Sequence, residues 1–473
     1  MNNPTTMNSL PPEMMVKVFR NLKDADLQSA RLTCKSWCSL INSLIPMTVI
    51  LDNQQKGNTD FVKSVVKKSV IIKSAPSHAM KKALCSPRHP QALKRFVVLG
   101  PVHCKLFVKE VLHFQNLITL IVGKETLLKR LSLQQSIYLP KLKKLILNSP
   151  FHGEVEYFID TPKNQVSVAR NILDFLSNLW CPEITELVLD GDVEQGRVEM
   201  RYNWRNALLG FLKKYRATLK KVSVGESSVL KSHEPSVDNY PYVTNLQHLH
   251  LSFYSNNHRD TSENFWTKFT LAQTNLEILN IGALWYNKSL EFFSNLPRTL
   301  KNLTLYWNLS ESRIVNCAIF GNFIYLVRLE LTFDGLWGQR LSKFSLLRKC
   351  KNLKVLIIEQ LLVKAKHLEC IDQYLPKLEV LYLYSCADIH DRLYGTGPFG
   401  ISSLALTRFL WNFEELLYLH VCPEDFLGDA KTVAQMNALI SKVAYKRKGC
   451  KGYFVGQEPD WLIDNSYGSC PLS

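Results

Sequence analysis

The sequence contains 12 cysteines, yet no two of them form a Cys-x-x-Cys pair. Structural zinc sites need closely paired ligands, so no metal centre is expected. No stretch approaches the roughly 20 consecutive apolar residues of a membrane-spanning helix, so no membrane association is expected. Glu13 and Lys17 interrupt the first twenty residues, and no continuous apolar core of a secretory signal is readable there. The cysteines are therefore expected to be reduced and to pack as small hydrophobes. The signatures G-x-x-x-x-G-K, G-x-S-x-G and H-E-x-x-H are absent, which removes the common phosphate-loop, serine-hydrolase and zinc-protease readings. "GTGPFG" at 395–400 fits G-x-G-x-x-G in letters only. No strand–helix–strand unit surrounds it, and Pro398 would remove a phosphate-facing N–H, so it reads as a loop. Asn287, Asn302 and Asn308 open N-x-S/T sequons that mean nothing without secretion, and Asn302 falls in an expected strand.

What is present is a large supply of core material. Apolar residues make up 46% of 473 positions and charged residues 21%. That length suggests two or three domains or a repeat array. The net charge of +17 is concentrated at the front: residues 1–150 hold 23 Lys+Arg against 7 Asp+Glu, and the remainder holds 35 against 34. The front is thus either a solubilising surface or a docking region for an acidic partner.

Residues 9–45 read as three short helices. Met15, Val18, Phe19 and Leu22 fall at i, i+3, i+4 and i+7, one helical stripe. Ser9 is an expected cap, and prolines are tolerated in a first turn. "KDADL" breaks the helix, and Asp24 or Asp26 is expected to cap the next one. Leu27 and Ala30 lead to Cys34, Trp37, Cys38 and Ile41, again at helical spacing. No third ligand lies near Cys34 and Cys38 in sequence, so this face is read as core.

The same residues resemble the F-box family. Leu10, Pro11 and Glu13 open the pattern; Met14, Met15, Val18, Phe19 and Leu22 follow; Asp26 and Leu27 come after the break; Ala30, Cys34, Lys35, Trp37 and Ile41 close it. Pro12, Met15 and Phe19 are small departures. The resemblance implies binding to Skp1, the adaptor of SCF-type ubiquitin ligases, through it to cullin-RING machinery. Leu10, Pro11, Val18, Leu22, Leu27 and Trp37 would face or support that adaptor.

Beyond the helices, the hexad apolar-x-x-apolar-x-apolar recurs twelve times, starting at residues 93, 117, 142, 184, 219, 246, 276, 300, 326, 353, 378 and 416. Most intervals lie near the 20–29 residue period of leucine-rich repeats. The longer ones, after Leu142, Ile184 and Leu378, must hold insertions. The L-x-L ending alternates like a short strand, and each coil's leucines can be buried only by the next coil. The expected fold is α/β: a three-helix F-box followed by a curved leucine-rich repeat solenoid, with parallel strands on the concave face and helices on the convex face. Segments 168–179 and 204–215 read as two of those helices, and "MTVILDN" and "KKSVIIKSA" as irregular first coils. Cys181 and Cys350 before hexads, and Cys386 and Cys422 after them, resemble the cysteine-containing repeats common behind F-boxes; their expected role is to fill the core. The expected domains are 1–8 disordered, 9–48 F-box, 49–428 repeats, and 429–473 a cap with a helix at 430–445 and a mobile basic end.

Hexad positions 1, 4 and 6 should point inward and positions 3, 5 and 7 onto the concave face. That face then offers His248, His250, Tyr306, Arg328, Glu330, Tyr382, Tyr384, Tyr418 and His420, with Arg95 and Lys144 in the basic part. Tyrosines suit a protein-binding surface. The leading expectation is a non-catalytic substrate-recognition subunit of an SCF ubiquitin ligase, cytoplasmic or nuclear, with an unknown protein substrate and no cofactor. The alternative is a scaffold outside the ligase whose basic front holds an acidic protein or, less in keeping with the sequence, nucleic acid. An enzyme would require a site assembled across distant coils.

Overall fold

The computed structural model describes residues 11–45, 47–52, 67–74, 90–99, 111, 114–123, 136–148, 175–190, 208–224, 242–252, 269–285, 296–308, 314–316, 323–334, 339–342, 344–359, 361–363, 365–384, 403–413, 415–421, 434, 438 and 452–455. The chain divides into two compact units, Met1–Leu246 with Asp260–Phe265, and Gln247–Arg259 with Trp266–Ser473.

The first unit opens with helices α1 (Pro12–Arg20), α2 (Asp24–Thr33) and α3 (Lys35–Leu44). Pro12 takes the first helical position of α1, where a missing N–H costs nothing. Asp24 and Asp26 do not cap α2. Lys23, in extended backbone, precedes it without any side-chain cap, so both aspartates lie inside the helix. A cap is found at α3 instead: the Cys34 thiol accepts the Trp37 N–H at 3.4 Å. Met15, Phe19, Leu27, Ile41 and Ile45 form one buried cluster, and Val49 joins it from the first strand. The expected boundary at residue 48 therefore falls inside a shared core.

The strands of this unit are β1 (Met47–Asp52), β2 (Lys67–Ser74), β3 (Arg95–Val98), β4 (Thr119–Gly123), β5 (Ile137–Tyr138), β6 (Lys144–Asn148), β7 (Leu179–Trp180), β8 (Glu186–Asp190) and β9 (Lys221–Val224). Their main sheet runs β1-β2-β3-β4-β6-β8-β9, with parallel neighbours; β5 and β7 form a separate parallel pair.

The second unit holds β10 (His248–Ser252), β11 (Ile278–Trp285), β12 (Asn302–Asn308), β13 (Ile314–Asn316), β14 (Arg328–Asp334), β15 (Gln339–Ser342), β16 (Val355–Glu359), β17 (Leu361–Leu362), β18 (Val380–Tyr384), β19 (Tyr418–Val421) and β20 (Gly452–Val455). Helices α4 (Ala365–Tyr374) and α5 (Ser403–Asn412) connect later strands. The order is β10-β11-β12-β14-β16-β18-β19-β20, again parallel, with β13-β15-β17 as a small second sheet. The architecture is mixed α/β with long parallel sheets, compatible with a solenoid.

Each of the twelve hexads supplies one of these strands, beginning at its third residue. Positions 1, 4 and 6 are buried in every one. One hydrogen-bond unit repeats from coil to coil: the carbonyl of hexad position 2 accepts two successive N–H groups of the next coil. Ile118 O accepts from Lys143 at 2.9 Å and Lys144 at 3.0 Å, and Lys301 O accepts from Val327 at 2.7 Å and Arg328 at 3.0 Å. A second unit uses the residue before the leading leucine. Asn116 Nδ2 donates to Gln91 O and Asn352 Nδ2 to Ile324 O, both at 2.9 Å, and Asn245 donates likewise to Ala217 O.

Two expectations change. Leu179 does not end a helix; residues 175–178 are helical and Leu179–Trp180 is strand β7, while 168–174 lie outside the described residues. Residues 208–214 are helical, as expected there, and 204–207 lie outside the description. The tail adds β20 beside β19 where only a mobile basic end was expected. Its "GYFV" lacks a leading leucine, so the hexad rule does not find it. In the tail helix candidate only Ala434 and Ala438 are described, both helical; "GTGPFG", Cys386 and Cys422 lie outside the described residues.

Candidate functional site

Two surfaces carry the sequence-predicted residues. On α1 the apolar stripe splits. Met15 and Phe19 turn into the core, whereas Met14 and Val18, one turn apart, are exposed. Leu32 on α2 is exposed as well. Trp37 is half-buried and meets Phe19 edge-on, ring centroids 5.2 Å apart. Among the described residues no acceptor reaches the buried Trp37 Nε1. Cys38 accepts from Asn42 Nδ2 at 3.5 Å. No group of three or more His, Cys, Asp or Glu that could hold a metal occurs among the described residues. No described helix is long and apolar enough to cross a membrane.

The second surface is the sheet face of the second unit. Parallel register aligns hexad position 5 as His250, Asn280, Thr304, Glu330, Ile357, Tyr382 and His420. Position 3 aligns as His248, Ile278, Asn302, Arg328, Val355, Val380 and Tyr418. The face therefore has two parts. Over β10–β14 it is polar: His248 and His250 are partly accessible, and Arg328 Nη2 meets Glu330 Oε2 at 3.1 Å. Thr304 Oγ1 donates to the same carboxylate oxygen at 3.5 Å, and Thr332 Oγ1 to Glu359 Oε2 at 3.0 Å. Burial raises the Glu330 carboxyl above its ordinary range, against the opposing pull of Arg328 and Thr304. A one-residue bulge in β11, between Ile281 and Leu284, lies against Leu305–Trp307 and so beside exposed Tyr306.

Over β16–β19 the face is closed. Tyr382, Tyr418 and His420 are 1%, 0% and 1% exposed. Tyr382 and Tyr418 cluster with Ile357, Val355 and Val380. His420 stacks on Tyr382 with centroids 4.5 Å apart and planes 14° from parallel. These three residues are core and not an open binding surface, which corrects the expectation drawn from hexad position alone.

Residues 7–45 match the model of the F-box-like family. No curated protein matches the chain. Within the F-box-like segment, Pro11 and Val18 are exposed, Leu22 and Trp37 are half-buried, and Leu27 is buried in the core. Leu10 lies outside the described residues, as does the side chain of Tyr384 at the end of β18. Leu27 and Trp37 therefore stand behind the surface rather than on it. Val18 is exposed on the helical stripe, and Met14, at i, i+4 spacing to it, is exposed as well.

Cys181 and Cys350, which stand before hexads, are buried. Burial pushes the Cys181 thiol up to about 12, against a Tyr215 hydrogen bond and the Lys214 charge, and pushes Cys350 up to about 12 as well. Neither forms thiolate near neutral pH. Arg95 and Lys144 are partly accessible on the sheet of the first unit, and Glu186 Oε1 bridges Lys144 and Lys221, each at 3.1 Å.

Proposed function

We propose that this chain is the substrate-recognition subunit of an SCF-type ubiquitin ligase, with a leucine-rich repeat solenoid behind its F-box-like segment. The observation that carries the reading is the F-box-like match at residues 7–45, a segment that leaves Met14 and Val18 in solvent on one helical stripe. F-box domains typically bind Skp1, and an exposed apolar stripe on so small a helical unit is the kind of surface such a partner covers. The repeat reading rests on twelve hexads that each give one parallel strand.

In this reading the chain has no catalytic residue. It joins two binding events in one chain and so raises the effective concentration of a target lysine near a charged conjugating enzyme. The polar part of the sheet face, with His248, His250, Tyr306 and Arg328, is the proposed target surface. Tyr382, Tyr418 and His420 support that sheet from within.

The test is a binding titration of recombinant Skp1 against the full chain. Val18→Glu and Met14→Glu should each weaken binding at least tenfold, roughly 1.4 kcal/mol or more. Both positions are exposed, so the thermal midpoint should hold. An intact chain that does not bind the adaptor ends this reading.

A further inference from the structure

The first unit carries an aromatic and basic patch outside the F-box-like segment. Four successive coils place an aromatic residue four positions before the leading hexad residue: Tyr138, Trp180, Tyr215 and Tyr242. Tyr138 and Trp180 are register partners across β5 and β7 and are 48% and 55% exposed. Tyr242 is exposed too, whereas Tyr215 is buried and has a different task. Its hydroxyl donates to Leu179 O at 2.8 Å and accepts the Cys181 N–H at 3.0 Å, where a further strand would pair. Lys214 Nζ donates to the same carbonyl at 2.8 Å and stands 5.1 Å from the centre of the Trp180 ring. Side chains thus close that edge of β7, and a positive charge is fixed against an open indole.

Basic residues dominate the described part of these coil entries: Lys141, Lys213, Lys214 and Arg216 are exposed, and among the described residues there Glu183 is the one exposed acid. Exposed aromatics among fixed cations fit an anionic partner that also carries an apolar or aromatic group. Two such partners exist, and geometry separates them. Neighbouring strands lie about 4.8 Å apart. A base inserted between the Tyr138 and Trp180 rings needs two stacking gaps of about 3.4 Å each. That spacing leaves no room for a base between the two side chains, so an acidic peptide that lays an aromatic side chain across them is the partner favoured.

We infer that Tyr138, Trp180 and Tyr242, with Lys141, Lys214 and Arg216, bind an acidic protein segment that lays an aromatic side chain on the Tyr138–Trp180 pair. The inference does not depend on adaptor recruitment, which a Skp1 titration on the same preparation reports separately. The probe is labelled poly(Glu,Tyr), followed by fluorescence anisotropy with the full chain, beside poly-Glu and oligo(dT). The native chain should bind poly(Glu,Tyr) at least tenfold more tightly than either comparison polymer. Trp180→Ala, and the exposed pair Lys141→Glu with Arg216→Glu, should each lose at least tenfold at an unchanged melting midpoint. Trp180→Tyr should restore binding. Absence of binding by the native chain, indifference to both variants, or tighter binding of oligo(dT) would each overturn the proposal.

Discussion

Glu330 is a carboxylate placed where water barely reaches, and only Arg328 and Thr304 soften that placement. Its folded-state titration lies above the ordinary 4.5 because burial penalises the charged form first. The unfolded chain gives up this proton at lower pH than the folded chain does. The residue's contribution to stability is therefore complete below about pH 4.5 and is lost as pH rises through the folded value. Glu330→Gln should gain stability relative to the native chain across that rise, while below it the two should differ by a constant. Denaturant melts over a pH series would check this, and a difference that does not change with pH would refute it. Residue chemistry of this kind was only half legible in sequence. Hexad spacing put Glu330, Tyr382 and His420 on one face, as the register confirms. Spacing has the same period whether a face is open or covered, so it could not reveal that Tyr382 and His420 are enclosed.

At the scale of one coil, apolar burial at the leucine positions holds each strand to the next, and at the coils entered by Asn116, Asn245 and Asn352 a side-chain bridge to the preceding coil is added. Leu356 is fully buried, and Leu356→Ala should cost about 2–5 kcal/mol. Asn352→Ala removes one exposed bridge to Ile324 O and should cost about 1 kcal/mol or less. Chemical denaturation of the two variants would rank them, and equal losses would mean that the bridge weighs as much in the stack as the buried leucine. Gly123 marks a tighter spot: a Cβ there would lie 2.7 Å from the Leu99 carbonyl oxygen, so a larger residue must push the two strands apart. Strands were the most legible elements because L-x-x-L-x-L states both the turn inward and the alternation. Caps were less so. The α2 aspartates match the usual preference, yet the chain enters that helix one residue earlier than a cap would require. The thiol that caps α3 follows no common preference.

For the molecule as a whole, the repeat organisation implies local rather than global failure, since each coil is stabilised mainly by its neighbours. In Leu303→Ala, hydrogen exchange should accelerate in β11, β12 and β14, while the amides around Phe19 and Ile41 keep native protection. Uniform acceleration across both regions would argue against that picture. The parallel run of the twelve hexad strands was readable in the sequence because the period survives long insertions, whereas β20, whose segment lacks the leading leucine, was not. The division near Leu246 was not, because the hexad runs through it unchanged. Nor was the ownership of Val49, which belongs by position to a strand and by burial to the helices ahead of it. This has a practical side for anyone exchanging parts between proteins. A splice at residue 46 would strip the helices of one wall and leave β1 with a bare apolar side, so any transplant of the front end must take the first strand along with it.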